Sequence, residues 1–192
     1  MDEIDGVEII ACADAEAFER WLAENVTRQE GVWIKVARKN RGIPTVSADE
    51  LVDIGLCYGW ISGQRRSLSA QYYLQKYVPR RPRSLWSQVN VDKVAALTAA
   101  GRMREAGLAE VRRAQQDGRW AAAYAPQRTA TPPADLVALL DADPGARQAF
   151  EALDRTRRYT LILPLLQSLT PEARQARLHR VLQLLNGGGR PE

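Results

Sequence analysis

Histidine is almost missing from this chain: His179 is the single one among 192 residues, and cysteine is limited to Cys12 and Cys57. A serine or cysteine hydrolase that depends on a histidine base would have to use His179. That residue sits in a periodic C-terminal stretch and reads as a surface or boundary position. A zinc site takes about four N, S or O ligands, and one histidine with two distant cysteines does not compose one. Both cysteines have apolar flanks and no CxxC or Cys/His neighbourhood, so they read as reduced, partly buried thiols of a reducing compartment. There is no P-loop and no GxGxxG after a strand, hence no nucleotide fingerprint. No run approaches the roughly 18 apolar residues of a spanning helix. The start, Met1-Asp2-Glu3-Ile4-Asp5, is acidic and lacks the basic and apolar regions of a signal peptide. The expectation is a cytoplasmic protein with no membrane insertion, no metal and no cofactor. Carboxylates are plentiful, but none is distinguished by its setting, so acid/base chemistry stays open.

What the chain does have is a globular composition, with 45% hydrophobic and 26% charged residues. A chain of this length buries most of its apolar surface without disulfide staples. The mild net charge of +4 is unevenly distributed. Between Gly59 and Val91 stand six basic residues (Arg65, Arg66, Lys76, Arg80, Arg81, Arg83) and no acidic one. Without those six, 21 basic residues face 23 acidic ones, so the whole positive excess belongs to one segment. A local excess of this kind speaks about partners rather than fold.

Periodicity supplies the elements. Asp14 caps a helix whose apolar positions Phe18, Trp21, Leu22 and Val26 share a face. Residues 31–38 are β-branched and aromatic and predict a strand; 39–44 turns the chain. Ser47 and Glu50 form a capping box that starts a helix with Leu51, Ile54 and Leu56 inward, ended by Gly59. Residues 60–66 and 71–78 predict a hairpin. Asn90 is read as the N-cap of a helix over 91–100, stopped by Gly101. Further helices are expected near 108–117, 133–141, 145–153, 157–168 and from Thr170-Pro171 to Asn186, with Gly187-Gly188-Gly189 as a frayed tail. The fold class is α+β: a small, mostly antiparallel sheet with packed helices and a helical C-terminal third. The whole chain, 1–192, reads as one domain, with an α+β core over about 1–130 and a helical part over about 133–186. Trp21, Trp33 and Trp120 sit in periodic apolar patterns and are assigned to the core.

The loop after the hairpin carries the chemistry. Pro79 and Pro82 restrict the backbone around Arg80, Arg81 and Arg83, which lowers the entropy lost in holding three guanidinium groups together. Their planar forks match phosphate or carboxylate oxygens. Ser84 and Ser87 add hydroxyl donors, and the loop leads to the expected helix start at Asn90, where free N–H groups favour an anion. Trp60, Tyr72, Tyr73, Tyr77 and Trp86 offer flat surfaces for stacking. The candidate ligand-binding set is therefore Trp60, Arg80, Arg81, Arg83, Ser84, Trp86, Ser87 and Asn90. Against it stands the plain structural reading, in which the charges are solvated or paired with acids elsewhere and the aromatics belong to the core.

Four segments also carry a resemblance. Leu56-Cys57-Tyr58-Gly59-Trp60-Ile61-Ser62-Gly63, then Pro79-Arg80-Arg81-Pro82-Arg83-Ser84-Leu85-Trp86-Ser87-Gln88-Val89-Asn90, then the stretches Gly101–Leu108 and Asp117–Tyr124, occur in this order. Together they resemble the YdeI/OmpD-associated, bacteriocin-protection family over nearly the whole chain, from the Trp33 strand to the last helix. One departure is Ser62, where that family often has Asp. The resemblance implies a role in bacterial resistance to antimicrobial peptides and an association with an outer-membrane protein. It brings no reaction and no catalytic residue with it.

Three readings follow from the residues. The first is a non-enzymatic cytoplasmic protein that binds an anionic small molecule or polyanion through the arginine loop; a protein partner is also compatible with it. The second is nucleic-acid binding through the same basic and aromatic surface. The third is an enzyme acting on an anionic small molecule, with arginines holding substrate and an Asp or Glu as acid or base.

Overall fold

Asp5 and Gly6 both take left-handed backbone, with φ of 54° and 72°, as a tight two-residue hairpin turn requires. The turn joins β1 (Glu3–Ile4) to β2 (Val7–Ala11), which pair antiparallel. Sequence reading missed this pair, although an Asp-Gly turn followed by β-branched residues is a hairpin signal. The computed structural model describes residues 2–187; Gly188 and Gly189 of the expected tail lie outside them.

The described residues fall into two compact units. The first comprises the chain up to Ser84 together with Asn90–Trp120. Its sheet continues with β3 (Val32–Ala37), β4 (Trp60–Ser67) and β5 (Tyr72–Pro79) in the order β1-β2-β3-β5-β4. Among the described strands of this sheet, only the β2–β3 pair is parallel. The crossover between those two strands is α1 (Ala15–Glu24), whose first turn is capped by the Asp14 carboxylate accepting from Ala17 N at 2.8 Å. Helix α2 (Ala48–Cys57) starts at the expected capping box: Ser47 N donates to the Glu50 carboxylate at 2.8 Å while Glu50 N donates to Ser47 Oγ at 3.2 Å. Alternation along the strands turns Val32, Ile34, Val36 and Tyr77 to one face. On that side the Tyr77 ring meets Phe18 of α1 edge-on at 5.5 Å and comes up against Gly55 of α2. The other face carries a smaller cluster of Val7, Trp33 and Leu74. Val26 does not join the α1 face: the helix ends at Glu24, and Val26 beyond it is 42% exposed.

The unit is completed by α3 (Gln88–Ala99), whose first two residues belong to the second unit, and by α4 (Glu105–Gln116). Helix α4 packs on the C-terminal end of α2, and Gly107 makes this possible. A Cβ there would stand 2.3 Å from the Cys57 carbonyl oxygen and 2.6 Å from that of Leu56. Gly59, with φ of 75°, lets the chain leave α2 beneath the same contact; a Cβ on it would lie 3.0 Å from the Ala106 oxygen. Arg104 N donates to the Cys57 oxygen at 3.1 Å. Two of the segments that carried the family resemblance are thus a backbone-to-backbone packing joint.

The second unit comprises Leu85–Val89 and the chain from Ala121. It holds α5 (Ala134–Ala142), α6 (Pro144–Ala152), α7 (Arg155–Leu166) and α8 (Pro171–Asn186). Their apolar faces form one core from Leu136, Phe150, Leu161, Leu165, Leu178 and Val181. Asp143, Asp154 and Thr170 cap α6, α7 and α8 with their side chains. The architecture is α+β, a five-stranded and mostly antiparallel sheet with eight helices among the described residues, the last four in the C-terminal part. None of these helices is long and apolar enough to cross a membrane.

Candidate functional site

The acid-free segment begins with the β4–β5 hairpin. Its register slips between Ser62 and Arg65, leaving a bulge whose carbonyls need donors. Gln75, buried on β5, supplies them: Nε2 donates to the oxygens of Gly63 at 3.0 Å and Gln64 at 3.2 Å. Its Oε1 accepts from Arg65 Nε at 3.0 Å, and the Arg65 guanidinium lies 4.5 Å from the Tyr73 ring centroid. On the opposite face, Lys35 stands over Tyr72 at 4.3 Å, with Arg66 and Lys76 over Trp33 at 5.0 and 5.6 Å. The hairpin tyrosines therefore serve as seats for this protein's own cations.

Past Pro79 the sequence-predicted residues separate. Arg80 is 5% exposed, and its N donates to the Gly59 oxygen at 2.9 Å. Arg81, Pro82 and Arg83 are exposed. The turn that presents them is closed by Ser84, whose Oγ accepts from Arg81 N at 3.0 Å and whose N donates to the Arg81 oxygen at 2.9 Å. Sequence reading did not single out the residue that holds this turn from behind. Arg119, 4% exposed, donates through Nη1 to the Ser84 oxygen at 2.7 Å and through Nε to Asp117 at 2.8 Å. The hydrogen bond from Arg119 lowers the Asp117 carboxyl below its ordinary range. A signal was available, since Asp117-Gly118-Arg119-Trp120 lies in a resemblance segment, but a lone arginine past a helix end has no pattern of its own.

Trp60 is 1% exposed and meets Trp21 edge-on at 5.9 Å. Trp86, in the second unit, is 2% exposed. Of the expected aromatics, Tyr77 is also a core residue, whereas Tyr72 and Tyr73 are half-buried. Trp33 is a core residue as expected; Trp21 and Trp120 are half-buried. Ser87, also in the second unit, bridges to Tyr124, and Gln88 N donates to the Tyr124 oxygen at 2.9 Å. That bridge ends where α3 begins, so the helix starts at Gln88 and Asn90 lies within its first turn rather than at the N-cap. His179 is exposed on α8, and Cys12 and Cys57 are free and buried. Among the described residues no group of three or more His, Cys, Asp or Glu side chains is placed to hold a metal ion.

The acids do not neutralise the segment. Arg66 meets Asp5 at 3.0 Å, an exposed pair. Among the described residues, Arg65, Lys76, Arg81 and Arg83 have no carboxylate within 4.0 Å. Residues 10–110, more than half of the chain, match the model of a domain of unknown function, DUF8412. The chain belongs to the DUF8412 family. Its described sheet and α1–α4 fall largely within that span. Residues 129–188 match a second model, Bacteriocin-protection, YdeI or OmpD-Associated, which covers α5–α8 and bears out the resemblance read from sequence. The segments that suggested it lie upstream: three of them fall within the DUF8412 span and 117–124 falls between the two matches. No curated protein and no solved structure matches the chain.

Proposed function

We propose that this is a cytoplasmic protein of the bacteriocin-protection, stress-resistance type that works by binding an anionic ligand at the turn carrying Arg81 and Arg83. The observation that carries the reading is the pair of exposed arginines on a hydrogen-bonded turn, in a segment without acids and, among the described residues, with no carboxylate within ion-pair distance of either. Two forks held on a fixed turn lose little freedom on meeting an oxyanion. Ser84 acts as the brace of that turn, and Arg80 as a buried support beside Gly59. The description of the family matched by residues 129–188 supports the resistance role. The cytoplasmic assignment rests on two free thiols, both buried, which suit a reducing compartment.

The test is the double variant Arg81→Ala/Arg83→Ala, titrated with inorganic phosphate, pyrophosphate and heparin. Affinity for the anion that binds the wild type should fall at least about tenfold, since charge-assisted hydrogen bonds contribute about 1.5–3 kcal/mol each. The melting temperature should stay within about 2 °C, as befits exposed positions. Unchanged affinity would refute the reading. Retention of a single-stranded oligonucleotide at low salt, lost in the double variant, would favour nucleic acid as the anion.

A further inference from the structure

The loop between β3 and α2, with Arg65 and Tyr73 of the hairpin, borders a half-open cavity of about 490 Å³ in the first unit, away from the arginine turn in sequence. Among the described residues four cations line it (Arg38, Lys39, Arg41 and Arg65) and no carboxylate does. Arg38 is committed to the hairpin turn, donating to the Ser69 oxygen at 3.2 Å and to Ser67 Oγ at 2.9 Å. Arg65 is fixed from the other side by Gln75 and the Tyr73 ring, as described above. Lys39 and Arg41 are exposed. Among the described residues neither of them has a carboxylate within ion-pair distance.

The loop that carries them is anchored. Ala37 N donates to Thr45 Oγ1 at 3.2 Å, and Val46 N donates to the Cys12 oxygen at 3.1 Å. Left-handed backbone at Asn40 and Gly42, with φ of 62° and 65°, turns the chain sharply on both sides of Arg41. The remaining wall is apolar and aromatic, including Ile43, Val46 and Tyr73. Like charges gathered in a concavity with low-dielectric walls raise the local potential for an anion. The Arg65 fork is already ordered before any ligand arrives.

We propose that this cavity binds a small organic phosphate. Lys39, Arg41 and Arg65 hold the phosphate, and the apolar or ring portion lies against Ile43 and Tyr73. A phosphate dianion suits a cavity lined by several cations better than a carboxylate monoanion does. The proposal does not depend on the Arg81–Arg83 turn, and the two are separable by experiment.

The isotope-labelled full chain is titrated with phenyl phosphate, inorganic phosphate, benzoate and phenol, and amide shifts are followed by NMR. Phenyl phosphate should perturb residues 39–48 and Arg65, and bind about tenfold more tightly than inorganic phosphate through the buried ring. Lys39→Ala/Arg41→Ala should weaken it at least about tenfold, and Arg65→Lys, which keeps the charge but loses the fork, about tenfold. The melting curve of Lys39→Ala/Arg41→Ala should overlay the wild type, since both residues are exposed, whereas Arg65→Lys should melt slightly lower because it gives up the Gln75 hydrogen bond and the Tyr73 stack. Arg81→Ala/Arg83→Ala should change the affinity by no more than about twofold. The proposal is overturned by undisturbed 39–48 amides, by wild-type affinity in Lys39→Ala/Arg41→Ala, or by benzoate binding as tightly as phenyl phosphate. Loss of phenyl phosphate binding in the Arg81/Arg83 variant would move the site to the other turn.

Discussion

Arginine does two different jobs around the acid-free segment, and burial separates them. Arg81 and Arg83 project from the turn, while Arg80 and Arg119 are nearly as buried as the core. A buried guanidinium is tolerated only where it is hydrogen-bonded and charge-compensated, and Arg119 meets that demand with the Ser84 carbonyl and the Asp117 carboxylate. Replacing it leaves the turn without its rear support. Arg119→Ala should therefore cost about 2 kcal/mol in a denaturant melt, whereas Arg81→Ala and Arg83→Ala should each stay within about 0.5 kcal/mol. An Arg119 variant as stable as the wild type would mean that the turn holds itself. A triple replacement of Arg80, Arg81 and Arg83 would mix loss of binding with loss of stability, which is why the functional test spares Arg80.

At the scale of elements, the contacts that matter most are close approaches and locks. The α2–α4 joint depends on Gly107, because any Cβ would enter the space of the Cys57 and Leu56 carbonyl oxygens. Gly107→Ala should destabilise by about 2–3 kcal/mol through forced separation of the helices, measured as a shift in denaturant midpoint with the slope unchanged. In the helical unit, α8 is tied back by Arg174. Its Nη2 donates to Asp135 at 2.9 Å and its Nη1 to the Leu165 oxygen at 2.9 Å. The Arg174 guanidinium holds the Asp135 carboxyl below its ordinary range. A carboxyl lowered by folding adds stability above its unfolded pKa, near about 4, and that contribution disappears as the pH falls through the lowered folded value. The melting temperature should thus fall on acidification below about pH 4 more steeply in the wild type than in Asp135→Asn, and parallel curves would remove the lock from the account. Where the elements would lie was largely legible from caps. Asp14, the Ser47–Glu50 box and Thr170-Pro171 each mark a helix start within a residue, since a cap is a local hydrogen bond. Asn90 misled because the start of α3 is set by a bridge from Ser87 and Gln88 to Tyr124, far along the chain.

For the whole molecule, charge is the quantity that sequence and structure share. The excess of +4 originates in one segment, and folding leaves four of its six cations without a carboxylate neighbour among the described residues. Binding to a polyanion such as heparin should weaken linearly with the logarithm of salt concentration. The slope should drop by about two in Arg81→Ala/Arg83→Ala, about one for each contact removed. A slope untouched by the double variant would place the polyanion elsewhere on the surface.

Composition, spacing and capping by themselves determined the α+β class, the positions of most elements, the free thiols and the lopsided charge, because each depends on residues near one another along the chain. They also marked the acid-free segment as the unusual one. Only the tertiary structure decided what its members do. Trp60 and Trp86 went into cores, Ser84 became a brace, Arg119 arrived from 35 positions away to hold the turn, and Lys39 and Arg41 joined Arg65 around a cavity. Burial and long-range pairing depend on how elements pack, and residue type alone does not reveal whether an arginine will face water or a carbonyl. The acid-free segment keeps its place as the source of the charge, with its accessible part reduced to the turn bearing Arg81 and Arg83 and to the hairpin cations.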